Sequence, residues 1–139
     1  MTELRDETTL FDRIGGQPTI DRLVDHFYDA MDSRGDAREL RAIHAADLGE
    51  IRRVLKAYLG EWLGGPRAYS SERGHPRLRA RHLPFSIGIA ERDAWLACMR
   101  EALEATVADA EARAAIEGSM ARLADFMRNR AGEAPPGQG

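Results

Sequence analysis

The chain has little of what builds strands or covalent staples. Cys98 is its only cysteine, which excludes an internal disulfide and any metal site assembled from several thiolates. Aromatic residues make up 6% of the sequence and β-branched residues are scarce. No segment alternates apolar and polar residues over the length of a strand, so helices are the elements left to bury a core. No apolar run approaches the roughly 18 residues needed to cross a bilayer. The opening residues, MTELRDETTLFDR, are charged and lack the apolar centre of a secretory leader. A positive surplus is missing too, since the net charge is -3, and this argues against general affinity for nucleic acid. The expectation is a cytoplasmic protein with neither a membrane nor a nucleic-acid partner.

What is present suits one globular domain. The 139 residues are 43% hydrophobic and 31% charged, enough apolar material for a single core. The domain is expected over residues 1–130, followed by a flexible tail, AGEAPPGQG, over 131–139. The short segment TLFDRI runs into Gly15-Gly16, a pair that favours a turn. Pro18 then stands where a helix can begin without needing its N–H. Ile20, Leu23, Val24, Phe27 and Met31 follow at helical spacing, with Tyr28 on the edge of their stripe. Residues 37–44 support only a short helix. Asp47 is a candidate N-cap with Glu50 three residues on, ahead of a helix whose apolar face includes Ile51, Leu55, Tyr58, Leu59 and Trp62. Gly64-Gly65-Pro66 ends that helix. From 66 to 88 the spacing predicts irregular chain with at most one short helical piece, around 77–82. A helix from about Glu91 would turn Trp95, Leu96, Met99, Leu103 and Val107 inward. A last one, about 109–130, would bury Ile116, Met120, Leu123, Phe126 and Met127. The expected fold is all-α, with four substantial helices and a long excursion between the second and third.

That excursion carries the unusual chemistry. The stretch RGHPRLRARHLPFSIGIAERDAW, residues 73–95, packs five arginines and two histidines beside Pro76, Pro84 and Gly88. It suits nucleic acid, a metal, or plain solvent contact. Nucleic acid is the weakest of these, because no aromatics interleave with the arginines as stacking platforms. Arg77, Arg79 and Arg81 alternate with Leu78 and Ala80, so a helix would spread them over different faces. Guanidinium groups recognise carboxylates in fork geometry, and a solvated charged loop explains the run more simply. His82 precedes Leu83-Pro84-Phe85, where the proline stops a regular helix and Phe85 offers a flat apolar surface. Imidazole is a good iron ligand, while spacing alone favours a solvated loop histidine. Tyr28, His44 and Trp95 lie on three segments that sequence alone cannot bring together. Each carries a polar tip on a ring, as boundary aromatics also do. A zinc site from His44, His75 and His82 lacks any short ligand-pair spacing.

Taken together, longer motifs go further. TLFDRIGG, PTIDRLVDHFYDAM, LRAIHAADL, EWLGGPRAYSSERGHPRLRARHLPFSIG and ERDAWLACMREAL, in that order, cover about residues 9–107. The run GGP, Tyr69, GHPRLR, His82, PF and IG, followed by ERDAWL, resembles the truncated haemoglobins, specifically their group II branch. The resemblance implies a truncated globin fold, a two-over-two helical sandwich around one haem b. It makes His82 the proximal iron ligand. Tyr28 becomes a distal hydrogen-bond donor, Trp95 offers its indole N–H to the same ligand, and His44 takes a third distal position. Leu55 and Phe85 would pack on the haem. Arg81 and Tyr69 match positions that often meet its propionates. Ile51 falls where many globins place a distal histidine or glutamine, and Val54 where relatives often carry a basic residue, with Arg53 or Lys56 as substitutes only along a different path.

The function so implied is binding of dioxygen and other small diatomic ligands, tight and slow to release, and poorly suited to bulk oxygen transport. The alternative is an enzyme at the same site, a haem-dependent peroxidase or a nitric oxide dioxygenase. Such an enzyme would draw on an external reductase, since nothing in the chain encodes one. A haem-free helical interaction module is the reading from another class. Oligomeric state, monomer or homodimer, stays open.

Overall fold

Gly15 and Gly16 both adopt positive φ, 112° and 75°, a region that side chains resist. They separate a single helical turn, α1 (Leu10–Arg13), from the first long helix, α2 (Gln17–Ser33), which has Pro18 in its opening turn. The computed structural model describes residues 9–129, and every regular element among them is helical. The tail expected over 131–139 lies outside the described residues. The stripe read from the sequence is the buried face of α2, with Ile20, Leu23, Val24 and Phe27 fully enclosed and Tyr28 turned inward beside them.

A 3₁₀ turn (Gly35–Ala37) and the short α3 (Arg38–Ala42) lead to α4 (Gly49–Trp62). The start of α4 differs from the expected capping box. The Asp47 carboxylate accepts from the Gly49 N–H at 2.8 Å, which leaves Leu48 in the cap position. Glu50 is drawn away by Arg53 and Arg73, its partners at 3.0 and 2.8 Å.

The excursion holds more helix than expected, because α5 (Ala68–Arg73) precedes α6 (Leu78–His82). The signal for α5 is tertiary. Glu61 of α4 accepts from the Ser70 N–H at 2.8 Å, and the Tyr69 ring is buried edge-on against Tyr58 at 5.5 Å.

α7 (Ile89–Thr106) begins two residues before Glu91, whose carboxylate reaches back to the Gly88 N–H at 2.7 Å. α8 (Ala110–Phe126) is capped by Asp109, which accepts from the Ala112 N–H at 3.0 Å, and it ends short of residue 130. Phe126, expected inside, is 60% exposed. At 100° per residue the stripe through Ile116, Met120 and Ala124 continues to Met127, which is buried, and passes Phe126 by.

α2 packs along α7 on one side and α4 on the other, while α7 also packs along α8. The result is two layers of two helices. Arg52 bolts α4 to α2 through Asp25 and Asp29, both at 3.0 Å, with Lys56 adding a second bond to Asp25. Gly60 leaves room for the Gln17 amide, since a Cβ there would stand 2.5 Å from Gln17 Oε1. Among the described residues no helix is long and apolar enough to cross a membrane.

Candidate functional site

α6 buries none of its five residues, so burial does not fix its place. A helix this short does not hold itself in water either. Its first turn is set by Arg77, a non-glycine residue at φ 49°, whose N–H donates to His75 Nδ1 at 3.0 Å. Arg81 bonds through Nε to the Pro76 carbonyl at 2.8 Å. His82 ends the helix half-buried, with Nδ1 2.6 Å from the Leu78 carbonyl oxygen. A carbonyl can only accept, so Nδ1 carries a proton, and in the neutral ring Nε2 keeps its lone pair. Leu83 and Phe85, next along the chain, are exposed.

The long helices build the other group. Phe27, wholly enclosed in α2, lies edge-on to the Tyr28 ring at 4.8 Å and to the Trp95 ring of α7 at 5.2 Å. Tyr28 in turn faces the His44 ring at 6.1 Å. Three residues that sequence alone leaves on separate segments are thus brought together, Tyr28 and Trp95 against Phe27 and His44 against Tyr28. Burial pushes the Tyr28 phenol well above its ordinary value, and the Arg52 guanidinium 5.6 Å over the ring only partly offsets this. Tyr28 is therefore a neutral O–H donor. Neither its hydroxyl nor the Trp95 indole N–H has a hydrogen-bond partner among the described residues.

His44 binds the Leu40 carbonyl through Nδ1 at 2.9 Å. Burial holds its pKa below the usual imidazole value; the Leu40 carbonyl opposes that shift, and the charges of Arg41 and His82 add to it.

The other expected contacts are spread more widely. Leu55 is half-buried on α4, one turn beyond the exposed Ile51. Tyr69 is only 4% exposed, beneath Tyr58. Arg53 is held by Glu50 and Glu72, and Lys56 by Asp25. Cys98 is buried, with its thiol pushed up to about 11, and is no nucleophile at neutral pH.

Comparison with known proteins matches residues 9–129 to the family described as bacterial-like globin. The group 2 truncated hemoglobin YjbI of Bacillus subtilis is 40% identical over 115 residues, 83% of this chain and 85% of the relative. The chain belongs to the group II truncated haemoglobins. Among solved structures, the group II 2-on-2 hemoglobin from Agrobacterium tumefaciens has 43% identity and a TM-score of 0.86, covering 88% of this chain and 95% of that one. The truncated oxygen-avid haemoglobin from Bacillus subtilis has 38% identity and a TM-score of 0.81, covering 88% of this chain and all of the other, 100%.

Haem-based ligand binding comes with a truncated haemoglobin, and the residues present fit the cofactor. His82 offers a single imidazole lone pair on a ring held in one orientation, as an axial iron ligand needs. Among the described residues, four of the five exposed large apolar side chains, Ile43, Ile51, Leu83 and Phe85, stand beside His44, on α4, or within three residues after His82. Reading the sequence of this haemoglobin missed two supports. Phe27 was legible as core but not as the ring on which Tyr28 and Trp95 rest. Asn129 gave no local signal, although it bonds to the carbonyls of His82 and Phe85.

Proposed function

We propose that this truncated haemoglobin binds one haem b through His82 Nε2 and holds dioxygen and related diatomic ligands tightly, with slow release. When bound, the haem would supply an iron atom, held by His82, that can take such a ligand reversibly. Leu55 and Phe85 pack on the cofactor in this reading. Arg81, which spends only Nε on Pro76, turns its remaining N–H groups to a propionate, with Tyr69 on the same edge.

The observation that carries the proposal is the pairing of Tyr28 and Trp95 on Phe27, each ring with an uncommitted donor. His44 cannot join them as a donor while neutral, because its one N–H is given to Leu40. Its Nε2 is left as an acceptor only, and the single Tyr28 O–H goes to the ligand. The tight-binding reading is further supported by the oxygen-avid character of the Bacillus subtilis protein.

A hydrogen bond to a ligand carrying partial negative charge contributes about 1.5–3 kcal/mol. At about 1.4 kcal/mol per decade, losing one donor speeds ligand release by roughly ten- to a hundredfold. Stopped-flow measurement of dioxygen dissociation from Tyr28→Phe and Trp95→Phe tests this. Unchanged rates in both variants would sink the proposal.

A second reading rests on His44, which burial keeps a neutral base beside Tyr28. It would relay protons in peroxide reduction, or in conversion of nitric oxide and dioxygen to nitrate, with electrons from an external donor. Peroxide turnover no faster than that of free haemin would remove the peroxidase version.

A further inference from the structure

His82, the iron ligand in the reading above, sits on a short helix that burial does not anchor. α6 has no buried residue, and Pro84 prevents the chain after His82 from continuing as a regular helix. The last carbonyls of any helix also lack intrahelical partners and need bonding from elsewhere. Here the Leu83 N–H serves Arg79 and Ala80 and the Phe85 N–H serves His82, and a further bond to the His82 carbonyl comes from the far end of the chain.

Asn129, just past α8, makes four hydrogen bonds, and all reach residues 82–87. Its Nδ2 donates to the His82 carbonyl at 3.1 Å and to the Phe85 carbonyl at 2.8 Å. Its Oδ1 accepts from the Ile87 N–H at 2.9 Å, and its own N–H donates to the Ile87 carbonyl at 2.9 Å. Arg79 answers from within α6. One of its terminal nitrogens donates to the Phe126 carbonyl at 3.0 Å and the Arg128 carbonyl at 2.7 Å, with the guanidinium 5.8 Å over the Phe126 ring.

We infer that Asn129 and Arg79 form a clamp that positions the proximal histidine, an inference that rests on His82 being the haem ligand. The division of labour is clear in the geometry. The Leu78 carbonyl sets the rotation of the His82 ring, whereas the clamp sets where its backbone stands. Asparagine suits the task because one short side chain supplies two donors and one acceptor. Neither residue touches the haem or its ligand in this assignment, so both are positioning residues and not catalytic ones. The exposed position of Phe126 also acquires a use, as the surface over which Arg79 lies.

The test uses full-length, haem-loaded protein and two readouts: the iron–histidine stretching band of the ferrous form by resonance Raman, and the rate of haemin transfer to excess apomyoglobin. Asn129→Asp keeps the side-chain shape and the acceptor for Ile87, but turns an oxygen toward two carbonyls. Arg79→Ala cuts the other half of the clamp with no change at Asn129. Helical circular dichroism equal to that of the unaltered protein keeps the comparison on folded molecules. In both variants the band is expected to shift and broaden, with haemin loss faster on the order of tenfold, the lower range for removing a group that orients a metal ligand.

If Asn129 matters only for packing, Asn129→Asp will match the unaltered protein in both readouts, and the clamp is overturned. His82→Ala separates that result from failure of the ligand assignment. A band that survives in His82→Ala overturns the assignment and the clamp with it. A band lost in His82→Ala but unmoved in Asn129→Asp and Arg79→Ala overturns the clamp alone.

Discussion

Phe27 makes no hydrogen bond and has no polar atom on its side chain, yet Tyr28 and Trp95 both take their position from it. Replacing it with alanine removes a fully buried ring and is expected to cost about 3–5 kcal/mol of stability, measured by urea unfolding of the apoprotein. Phe27→Leu keeps most of the volume but removes the edge-on ring contacts. Its dioxygen release is expected to be faster than that of the unaltered protein even where the fold survives, because Tyr28 and Trp95 lose their common backing. His44 shows how a residue's role can narrow once its partner is known. Its identity suggested a third donor, while the Leu40 carbonyl at 2.9 Å takes its only proton in the neutral form and leaves an acceptor. Sequence could name Tyr28, His44, His82 and Trp95 through resemblance to a family. It could not show which ring nitrogens are spent, because the partners are backbone carbonyls whose position depends on local helix geometry.

At the scale of elements, the helices that could be read in advance are those whose signal is local. The stripe of α2 and the spacing of Ile116, Met120 and Met127 in and just after α8 are both written within a few neighbouring residues. α5 escaped because its cap, Glu61, and its packing partner, Tyr58, belong to α4. The tie between His82 and Asn129 spans 47 residues, beyond any periodicity. The α2–α4 junction carries a pH dependence of definite sign. Partial burial works against ionisation of Asp25, but its bonds to Arg52 and Lys56 prevail and hold its pKa below the ordinary carboxylate value. A depressed pKa means that the folded state binds this proton less readily than the unfolded chain does. The contribution is therefore complete above about pH 4 and is lost as pH falls through the folded-state value. Asp25→Asn is expected to unfold more easily at neutral pH and to show a shallower loss of stability on acidification, checked by denaturant titrations across that range. A larger side chain at Gly60 would have to displace the Gln17 amide, which is bonded to Asp21 and to the Lys56 carbonyl. Gly60→Val is expected to lower the melting temperature of the apoprotein.

At the scale of the molecule, the long helices bring a group of rings together around Phe27, and His82 stands on a separate short helix with ties of its own. α2 and α7, packed along each other, carry Tyr28 and Trp95, while His82 rides on α6, held by polar ties from both of its sides. Composition and periodicity reached the all-α class and the four long helices. The layering and the family came from motif resemblance and were met by the structure and its relatives. The measurement that tests the central claim most directly is titration of the apoprotein with haemin, followed by the Soret spectrum and repeated with His82→Ala. The protein is expected to saturate at one haem per chain and to give, on reduction, the spectrum of histidine-ligated iron, which His82→Ala loses. Saturation with an identical spectrum in His82→Ala, or no Soret change on titrating the unaltered protein, would contradict it.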